Sequence, residues 1–293
     1  CDVSLSEHKG GRLICHYCGY TQPMPKLCPK CGSKYILGFK AGTQQIEEKL
    51  KELYPGVRTL RMDADTTRTK DSYEKILSSF ANGEADVLIG TQMIVKGHDF
   101  PKVTLVGILA ADLSLNASDY RAGERTFQLL TQAVGRAGRG VLPGEAVIQT
   151  YQPDHYAITC AAAQDYESFY QEEILYRELS GYPPVAHMLA VQIYGKEEEN
   201  VKQLALRLTD VVKSNMDFLS GKQKEQSNKK IQVLGPAPAN ISKINDIYRY
   251  VFYVKHAEYD VLVEVKDRLE ETLRQWQPRQ MSIQFDFDPV SVL

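Results

Sequence analysis

The pattern of apolar and polar positions divides the chain into three stretches. The first 34 residues show no sustained periodicity and indicate a small, loop-rich module. Up to position 152, short unalternated apolar runs follow one another with helical segments between them, a pattern typical of parallel strands buried on both faces. Longer helices and strands follow. We therefore predict three domains with boundaries at 1–34, 35–152 and 153–293.

The middle stretch has repeated βα units, which predict an α/β domain with a parallel sheet and right-handed crossovers. We expect strands at 35–39, 57–63, 85–91, 103–112 and 145–151. Helices are expected at 43–53, 71–82 and 121–137, and Thr43 is a natural N-cap for the first of them.

The last stretch changes character. One Tyr- and Glu-rich helix is expected at 156–180, ending at the GYPP turn of 181–184. The order strand, helix, two strands, helix, strand then predicts an α+β, ferredoxin-like domain. We expect these elements at 188–195, 197–217, 231–235, 248–255, 258–275 and 281–287. We interpret the aromatic run YRYVFYVK (248–255) as core packing rather than a base-stacking platform.

Composition adds few constraints. A hydrophobic content of 43% and a charged content of 25% describe an ordinary globular protein, and a net charge of −2 demands neither nucleic acid nor an acidic partner. No apolar stretch is long enough to cross a membrane, so we expect no membrane association. The first residue is cysteine rather than methionine, which we interpret as a piece cut from a longer protein.

The cysteines indicate a metal. Five of the six lie in the first 31 residues, and four of these form the pairs CHYC (15–18) and CPKC (28–31). A CxxC pair on a tight turn presents two thiolates to one tetrahedral zinc. The simplest assembly is one ribbon made by Cys15, Cys18, Cys28 and Cys31, but it leaves Cys1 without a role. Cys160, alone in an Ala-rich helical run, is expected to be a core residue.

The segment TQAVGRAGRG (131–140) carries two arginines near the end of a predicted helix. A helical projection places Gln132, Arg136 and Arg139 on one stripe, opposite the apolar positions. Guanidinium groups bind phosphate oxygens bidentately, so this stripe is a candidate nucleotide contact. The alternative is a solvated helix end whose cations interact with the C-terminal dipole.

Taken together, the motifs carry a family resemblance. The motifs are CHYCG, CPKCG, GTQMIVKGHDFPKVTLVG, LLTQAVGRAGR, PGEAVIQTY, GYPP and LGPAPA. Their order resembles the second RecA-like lobe of superfamily 2 helicases, and the whole set resembles the PriA (primosomal protein N′) family across essentially the full chain.

The resemblance implies roles for individual residues. Gln132, Arg136 and Arg139 match the family's QxxGRxGR motif, in which both arginines face the ATP γ-phosphate and Arg139 is the expected arginine finger. The segment GTQMIVKGHDF (90–100) matches the family's coupling motif, in which Gly97 and Asp99 are expected near the nucleotide. The nucleic-acid backbone is expected to contact Gly42, Thr43, Gly90 and Thr91.

Other interpretations of neighbouring residues remain open. Asp99 as a structural cap and His98 as an ordinary surface histidine are the competing interpretations at those positions. Asp63 and Asp65 invite a metal hypothesis, although turn residues at a strand end are favoured.

The 293 residues contain no GxxxxGK[ST] phosphate loop and no DExH-type acidic motif. ATP hydrolysis needs a phosphate cradle and an acid that holds Mg²⁺, which the family carries on its first lobe. We therefore expect ATP and Mg²⁺ to bind the intact protein, and the isolated chain to be inactive.

The resemblance also implies a different zinc arrangement. PriA-like proteins carry four CxxC pairs that bind two zinc ions in an interleaved order. Mapped here, Cys1 joins Cys15 and Cys18 at one ion, while Cys28 and Cys31 belong to the other. We expect two zinc ions in the intact protein and at most one in this chain.

The function that the resemblance implies is an ATP-dependent 3′→5′ DNA helicase that recognises stalled replication forks and restarts replication. The implied partners are branched and single-stranded DNA, the single-stranded DNA-binding protein and primosome proteins, and the implied location is the cytoplasm, near the nucleoid. Two alternatives stay open. One is a zinc-ribbon module that binds nucleic acid or protein without ATPase activity, and the other is a RecG-like fork translocase, which leaves the CxxC pairs unexplained.

Overall fold

The computed structural model forms two compact units, which are described separately. One unit comprises residues 1–26, 118–120 and 173–293, and the other comprises 27–117 and 121–172. The structure describes residues 1, 5–8, 11–15, 17–29, 31–34, 42–67, 69, 71–95, 100–117, 119–214 and 230–290. The predicted strand at 35–39 lies outside the described residues.

The first unit opens with a small antiparallel sheet in the order β1-β2-β3. Its strands are β1 (Ser6–His8), β2 (Arg12–Ile14) and β3 (Thr21–Pro23). Strands of three residues bury too little apolar surface to be stable alone. Such a module therefore needs a metal or a neighbouring domain to hold its fold.

The second unit contains short parallel strands and the helices that connect them. In chain order these are α1 (Thr43–Leu53), β4 (Thr59–Met62), α2 (Ser72–Ala81), β5 (Val87–Gly90), a 3₁₀ turn (Gln92–Val95), β6 (Leu105–Ile108), α3 (Asp112–Leu115), α4 (Ala122–Val134) and β7 (Glu145–Ile148). The predicted parallel pairing is confirmed for β4 with β5 and for β6 with β7. A single parallel sheet was predicted, but the described residues form two separate two-stranded sheets, because each four-residue strand pairs with one neighbour only.

Two further helices follow, α5 (Tyr156–Ala163) and α6 (Tyr166–Ser180). All of α5 and the part of α6 up to residue 172 belong to this unit, and the rest of α6 belongs to the first unit. The prediction of one helix over 156–180 is wrong, because Gln164 adopts φ +54° and ends α5. Phe127 of α4 stacks on Phe169 with a centroid distance of 4.0 Å, and Cys160 is buried in the same cluster, as predicted. Residues 153–172 thus pack with the α/β unit, so the compact units do not follow the predicted division at 152.

The first unit continues with a larger antiparallel sheet of order β11-β8-β10-β9. The elements are β8 (His187–Gly195), α7 (Glu198–Ser214), β9 (Gln232–Ile244), β10 (Ile247–His256), α8 (Tyr259–Trp276) and β11 (Met281–Phe287). This is the element order that the sequence predicts, although β9 extends well beyond the expected 231–235. Tyr250 and Phe252 of β10 are buried in its core, as the core interpretation of the aromatic run requires.

Within the part of the chain that the structure describes, no helix is both long and apolar enough to cross a membrane.

Candidate functional sites

The first candidate site lies where α1 begins. Gly42 is the N-cap and Thr43 is the first helical residue, so the prediction that Thr43 is the N-cap is wrong. The Thr43 hydroxyl instead donates a hydrogen bond to the carboxylate of Asp63, which follows β4. This bond fixes the first turn of α1 at the carboxyl end of β4.

Asp63 is a structural turn residue. Its carboxylate accepts hydrogen bonds from the backbone N–H groups of Asp65 and Thr66, both at 3.0 Å, and lies 2.9 Å from Nε of Arg61. Burial alone raises the pKa of Asp63, but the bonds from Thr43 and Thr66 and the Arg61 charge lower that pKa below its ordinary value. The partners of the Asp63 carboxylate are thus hydrogen-bond donors of the chain itself, as the favoured interpretation of Asp63 as a turn residue at a strand end requires.

Gly90 and Thr91 lie at the same edge. Met62 at the end of β4 pairs with Gly90 at the end of β5, so the carboxyl ends of the two parallel strands are adjacent. A Cβ atom at Gly90 would lie 2.4 Å from Cγ2 of Ile94 and 2.5 Å from the Met62 carbonyl oxygen. Thr91 is exposed just beyond. The structure therefore collects four predicted DNA-contacting residues at one edge: Gly42, Thr43, Gly90 and Thr91.

The two arginines of the GRAGR segment have different surroundings. The half-buried Arg136 donates from Nη2 to the carbonyl oxygen of Val95 at 2.7 Å, and so ties the end of α4 to the 3₁₀ turn after Thr91. Arg139 is exposed, and its Nε donates to the Gly135 carbonyl oxygen at 2.6 Å. Arg136 is therefore placed to hold the local backbone, whereas Arg139 is placed at the surface.

The helix ends earlier than the sequence predicts. α4 stops at Val134 rather than at 137, because Gly135 is its C-cap and the following residues form turns. Gln132 is exposed on the last turn of the helix. The predicted stripe of three polar side chains therefore starts on a helix and continues on a turn.

The glycines of this segment permit close backbone packing. Gly138 has φ +71°, donates from its N–H to the Val103 carbonyl oxygen at 3.0 Å, and would bring a Cβ atom within 2.6 Å of the Gly144 nitrogen. At Gly140, a Cβ atom would lie 2.1 Å from the carbonyl oxygen of Pro101. Glycine is needed at both positions because backbone occupies the space of a side chain.

We expect Gly138→Ala to destabilise the α/β unit by about 1–3 kcal/mol, since a non-glycine residue is strained at this φ and its methyl group meets the backbone at Gly144. Gly107→Ala is the matched control, because nothing lies within 4 Å of a Cβ atom there and its φ is unrestrictive. Native-state hydrogen exchange of the α4 amides measures this unit alone. Equal exchange in both variants would contradict the packing argument.

The structure describes only the two ends of the coupling motif at 90–100. Residues 96–99, and with them the predicted nucleotide contacts Gly97 and Asp99, lie outside the described residues. On one side Val95 is held by Arg136, and on the other the ring of Phe100 packs edge-on against Phe80 of α2 at 5.0 Å.

Sequence reasoning missed the role of Asp112, which links the carboxyl ends of β6 and β7. Asp112, after β6, accepts hydrogen bonds from the Thr150 hydroxyl at 2.7 Å and from the Tyr151 N–H at 3.0 Å, beyond the end of β7. These bonds, led by the one from Thr150, lower the pKa of Asp112 below its ordinary value. An acidic residue at the end of the predicted strand 103–112 was the available signal.

The two CxxC pairs have the same backbone geometry. In the first, the Cys15 N–H donates to the Tyr20 carbonyl oxygen at 2.8 Å and the Gly19 N–H donates to the Cys15 carbonyl oxygen at 2.9 Å. In the second, Cys28, Ser33 and Gly32 repeat these bonds at 2.9 and 2.8 Å. Gly19 and Gly32 have φ +72° and +68°. Both pairs therefore form the tight turn that the sequence predicts for a CxxC knuckle.

The first knuckle has a third cysteine. The sulfur atoms of Cys1, Cys15 and Cys18 all lie within 4.8 Å of one another. Sulfurs around a tetrahedral zinc with bonds of about 2.3 Å lie roughly 3.8 Å apart, so this donor set fits zinc with small adjustments. Backbone hydrogen bonds, first from Cys18 and then from Tyr17, lower the pKa of the Cys15 thiol and favour the thiolate that a metal requires.

The interleaved arrangement implies that Cys1 groups with Cys15 and Cys18, whereas the single ribbon gives Cys1 no role. Cys1 takes part together with the CHYC pair, within the first compact unit. The CPKC pair belongs to the sequence of the other unit.

Three family models match the chain. Residues 1–23 match the PriA DNA helicase Cys-rich region (CRR) domain, residues 27–141 match the helicase conserved C-terminal domain, and residues 178–290 match the primosomal protein N C-terminal domain. Together they cover the cysteine module, most of the α/β unit and the C-terminal sheet.

Whole-chain similarity points the same way. The replication restart protein PriA of Bacillus subtilis is 41% identical over 100% of this chain, and that of Synechocystis is 38% identical over 100%. The PriA protein of Haemophilus influenzae is 33% identical over 96%. These alignments cover 35%, 34% and 36% of the relatives, so the chain spans about a third of their length. With three matching domains in order and relatives of one kind along its whole length, the chain belongs to the PriA family of replication restart proteins.

Proposed function

We propose that this chain supplies the second lobe and the cysteine-rich module of an ATP-dependent 3′→5′ DNA helicase that recognises stalled forks and restarts replication. The observation that carries the proposal is the hydrogen bond between Arg136 and Val95. It joins the arginine segment to the turn that follows Thr91, so the proposed nucleotide and DNA contacts share one rigid connection. The names of the relatives support the restart role.

DNA contact is assigned to the edge formed by the ends of β4 and β5. Thr43 opens α1, whose first backbone N–H groups are suited to bind a phosphate oxygen. Thr91 is exposed at the same sheet edge, directly after β5. Gly42 lets a strand backbone approach closely, because it carries no side chain and nothing lies within 4 Å of the position of a Cβ atom there. Such contacts position DNA without reading its sequence.

Nucleotide contact is assigned to the arginine segment. The exposed Arg139 is the arginine finger that stabilises charge on the transferred phosphoryl group, and Gln132 is exposed on the last turn of α4. Arg136 shares this role and holds the turn at Val95. Gly97 and Asp99 complete the nucleotide side by the family resemblance. ATP and Mg²⁺ then bind at a site completed by a lobe that carries a phosphate loop.

The remaining parts of the proposal concern domains and partners. We assign three functional parts, namely the zinc module at 1–34, the helicase lobe at 35–152 and the C-terminal domain at 153–293, whose sheet order and antiparallel strands support a ferredoxin-like fold. The ligands and partners are branched and single-stranded DNA, the single-stranded DNA-binding protein and primosome proteins. The location is the cytoplasm, in association with the nucleoid.

We expect the 293-residue chain to hydrolyse no ATP, with or without DNA, because its sequence contains neither a phosphate loop nor a Mg²⁺-holding DExH motif. A phosphate-release assay on the purified chain tests this, with the Arg139→Ala variant as the control for contaminating ATPases. Turnover that is unaltered by Arg139→Ala comes from a contaminant, whereas DNA-stimulated turnover that survives purification and falls in Arg139→Ala would contradict the half-site assignment.

Thr91→Ala should weaken binding of single-stranded DNA by about 3–10-fold, since one hydrogen bond to a phosphate oxygen is lost. The loss should be the same for oligonucleotides of unrelated sequence, measured by fluorescence anisotropy at fixed salt. Thr104→Ala is the matched control, because Thr104 is equally exposed but lies at the amino end of β6. Equal losses in the two variants would remove the DNA edge from the proposal, and unchanged binding by Thr91→Ala would remove Thr91.

A further inference from the structure

A hairpin turn of the C-terminal sheet lies against the metal-binding triad. Strands β9 and β10 are joined by Asn245 and Asp246, whose φ values are +49° and +60°. Ile244 and Ile247 are the paired residues on either side. Two central residues with positive φ define a type I′ turn, in which asparagine is a favoured residue.

This turn presents a backbone donor outside the strand ladder. Because the ladder closes at the pair Ile244 and Ile247, the N–H of Asn245 points away from it. That N–H donates to the sulfur of Cys1, with a nitrogen–sulfur distance of 3.2 Å. The side-chain oxygen of Asn245 lies 3.9 Å from the same sulfur. The backbone N–H and the side-chain oxygen of Asn245 therefore both face one cysteine, which is 244 positions away in the sequence.

The chemistry suits a metal-bound thiolate. A thiolate sulfur is a negatively charged acceptor, and a hydrogen bond to a charged group is stronger than one between neutral groups. The carboxamide of asparagine presents its NH₂ group to such an acceptor after a half-turn about its last torsion. Groups that hydrogen-bond to metal ligands orient them and raise the affinity for the metal.

We propose that Asn245 is a positioning residue of the zinc site: its backbone N–H holds the Cys1 sulfur and thereby fastens the cysteine module to the C-terminal sheet. The inference rests on the assignment of zinc to Cys1, Cys15 and Cys18, and it is independent of the helicase function. The module and the sheet belong to the same compact unit.

The turn is braced to do this. Lys243 forms an ion pair with Asp246 at 3.1 Å, and its ammonium lies 4.5 Å from the ring centroid of Tyr248. These contacts join the two strands next to the turn, so the direction of the Asn245 N–H is fixed by the sheet. The three-residue strands of the module gain an external support that they lack internally.

Hydrogen exchange of the Asn245 amide tests the contact without altering the hairpin. In the zinc-loaded chain this amide should exchange about tenfold more slowly than in Cys1→Ala, the factor that a hydrogen bond of about 1.4 kcal/mol gives. The ladder amides of Val251 and Lys255 should be unchanged. Cys31→Ala is the matched control, since it removes a cysteine of the other knuckle and should leave Asn245 protected.

The outcomes separate the inference from its premise. If Cys1→Ala keeps its zinc, the triad assignment is wrong and the inference falls with it. If zinc is lost but exchange at Asn245 does not change, the triad stands and the role of Asn245 is wrong. Faster exchange at Asn245 in Cys1→Ala, with no change in Cys31→Ala, supports both.

A pair of proline variants tests the effect on affinity. Asn245→Pro and Asp246→Pro are equally incompatible with a positive φ, but only the first removes the N–H that faces Cys1. Zinc affinity, measured by competition with a chromophoric chelator, should fall about tenfold further in Asn245→Pro than in Asp246→Pro. Equal losses in the two variants would show that the turn acts through its shape and overturn the role of this N–H.

Discussion

Replacing Arg139 by alanine, in a protein that combines this chain with a phosphate-loop lobe, should lower kcat for ATP hydrolysis by about 10³-fold or more. An arginine finger acts mainly on the transition state, so KM for ATP should change far less than kcat. Because Arg139 is exposed and lies outside the proposed DNA edge, the affinity for DNA should be nearly unchanged. Steady-state kinetics and DNA anisotropy on the same preparation measure both.

The matched control is Gln128→Ala, an exposed change on α4, the helix that precedes the arginine segment. Arg136→Ala should differ from both, because it also removes the bond to Val95 and should weaken DNA binding along with kcat. If Arg139→Ala mainly weakened DNA binding at an unaltered kcat, the finger would have to be reassigned.

Replacing Cys15 by serine should remove zinc from the chain, from at most one ion per molecule to nearly none. Cys15 is the buried member of the triad, and losing one of three thiolates leaves too few donors for a stable tetrahedral site. Metal analysis after dialysis against a weak chelator measures the change. The module should become more susceptible to proteolysis at the same time, since metal binding and folding of such modules are coupled.

Cys160→Ser is the control, because Cys160 is buried in the core of the other unit and should leave the zinc content unaltered. Retention of zinc by Cys15→Ser would favour a site built without the triad. Two tightly held zinc ions per chain would contradict both the interleaved and the single-ribbon arrangement.

Local patterns predicted the elements well wherever one signal dominated. The helix at 43–53 was predicted with its observed bounds, since its apolar positions follow a helical period between clear breakers. The order of the C-terminal elements was predicted for the same reason. The knuckles were predictable because CxxC and a following glycine fix a tight turn within five residues.

Contacts between distant segments could not be predicted in this way. No periodicity indicates that Arg136 reaches the Val95 carbonyl, because a backbone acceptor has no sequence signature. The break between α5 and α6 depends on Gln164 adopting a positive φ, which its residue type does not favour. The position of Asn245 beside Cys1 depends on how a hairpin meets a separate small sheet.

The guanidinium of Arg136 has a thermodynamic consequence. One hydrogen bond of 2.7 Å joins the turn after the proposed DNA edge to the segment proposed to face ATP. A ligand that shifts either end must shift the other or break this bond, so binding at one site changes the free energy of binding at the other. By linkage the effect is reciprocal: whatever factor ATP imposes on DNA affinity, DNA must impose on ATP affinity. Arg136→Ala should bring that shared factor towards one, leaving two ligands that bind independently.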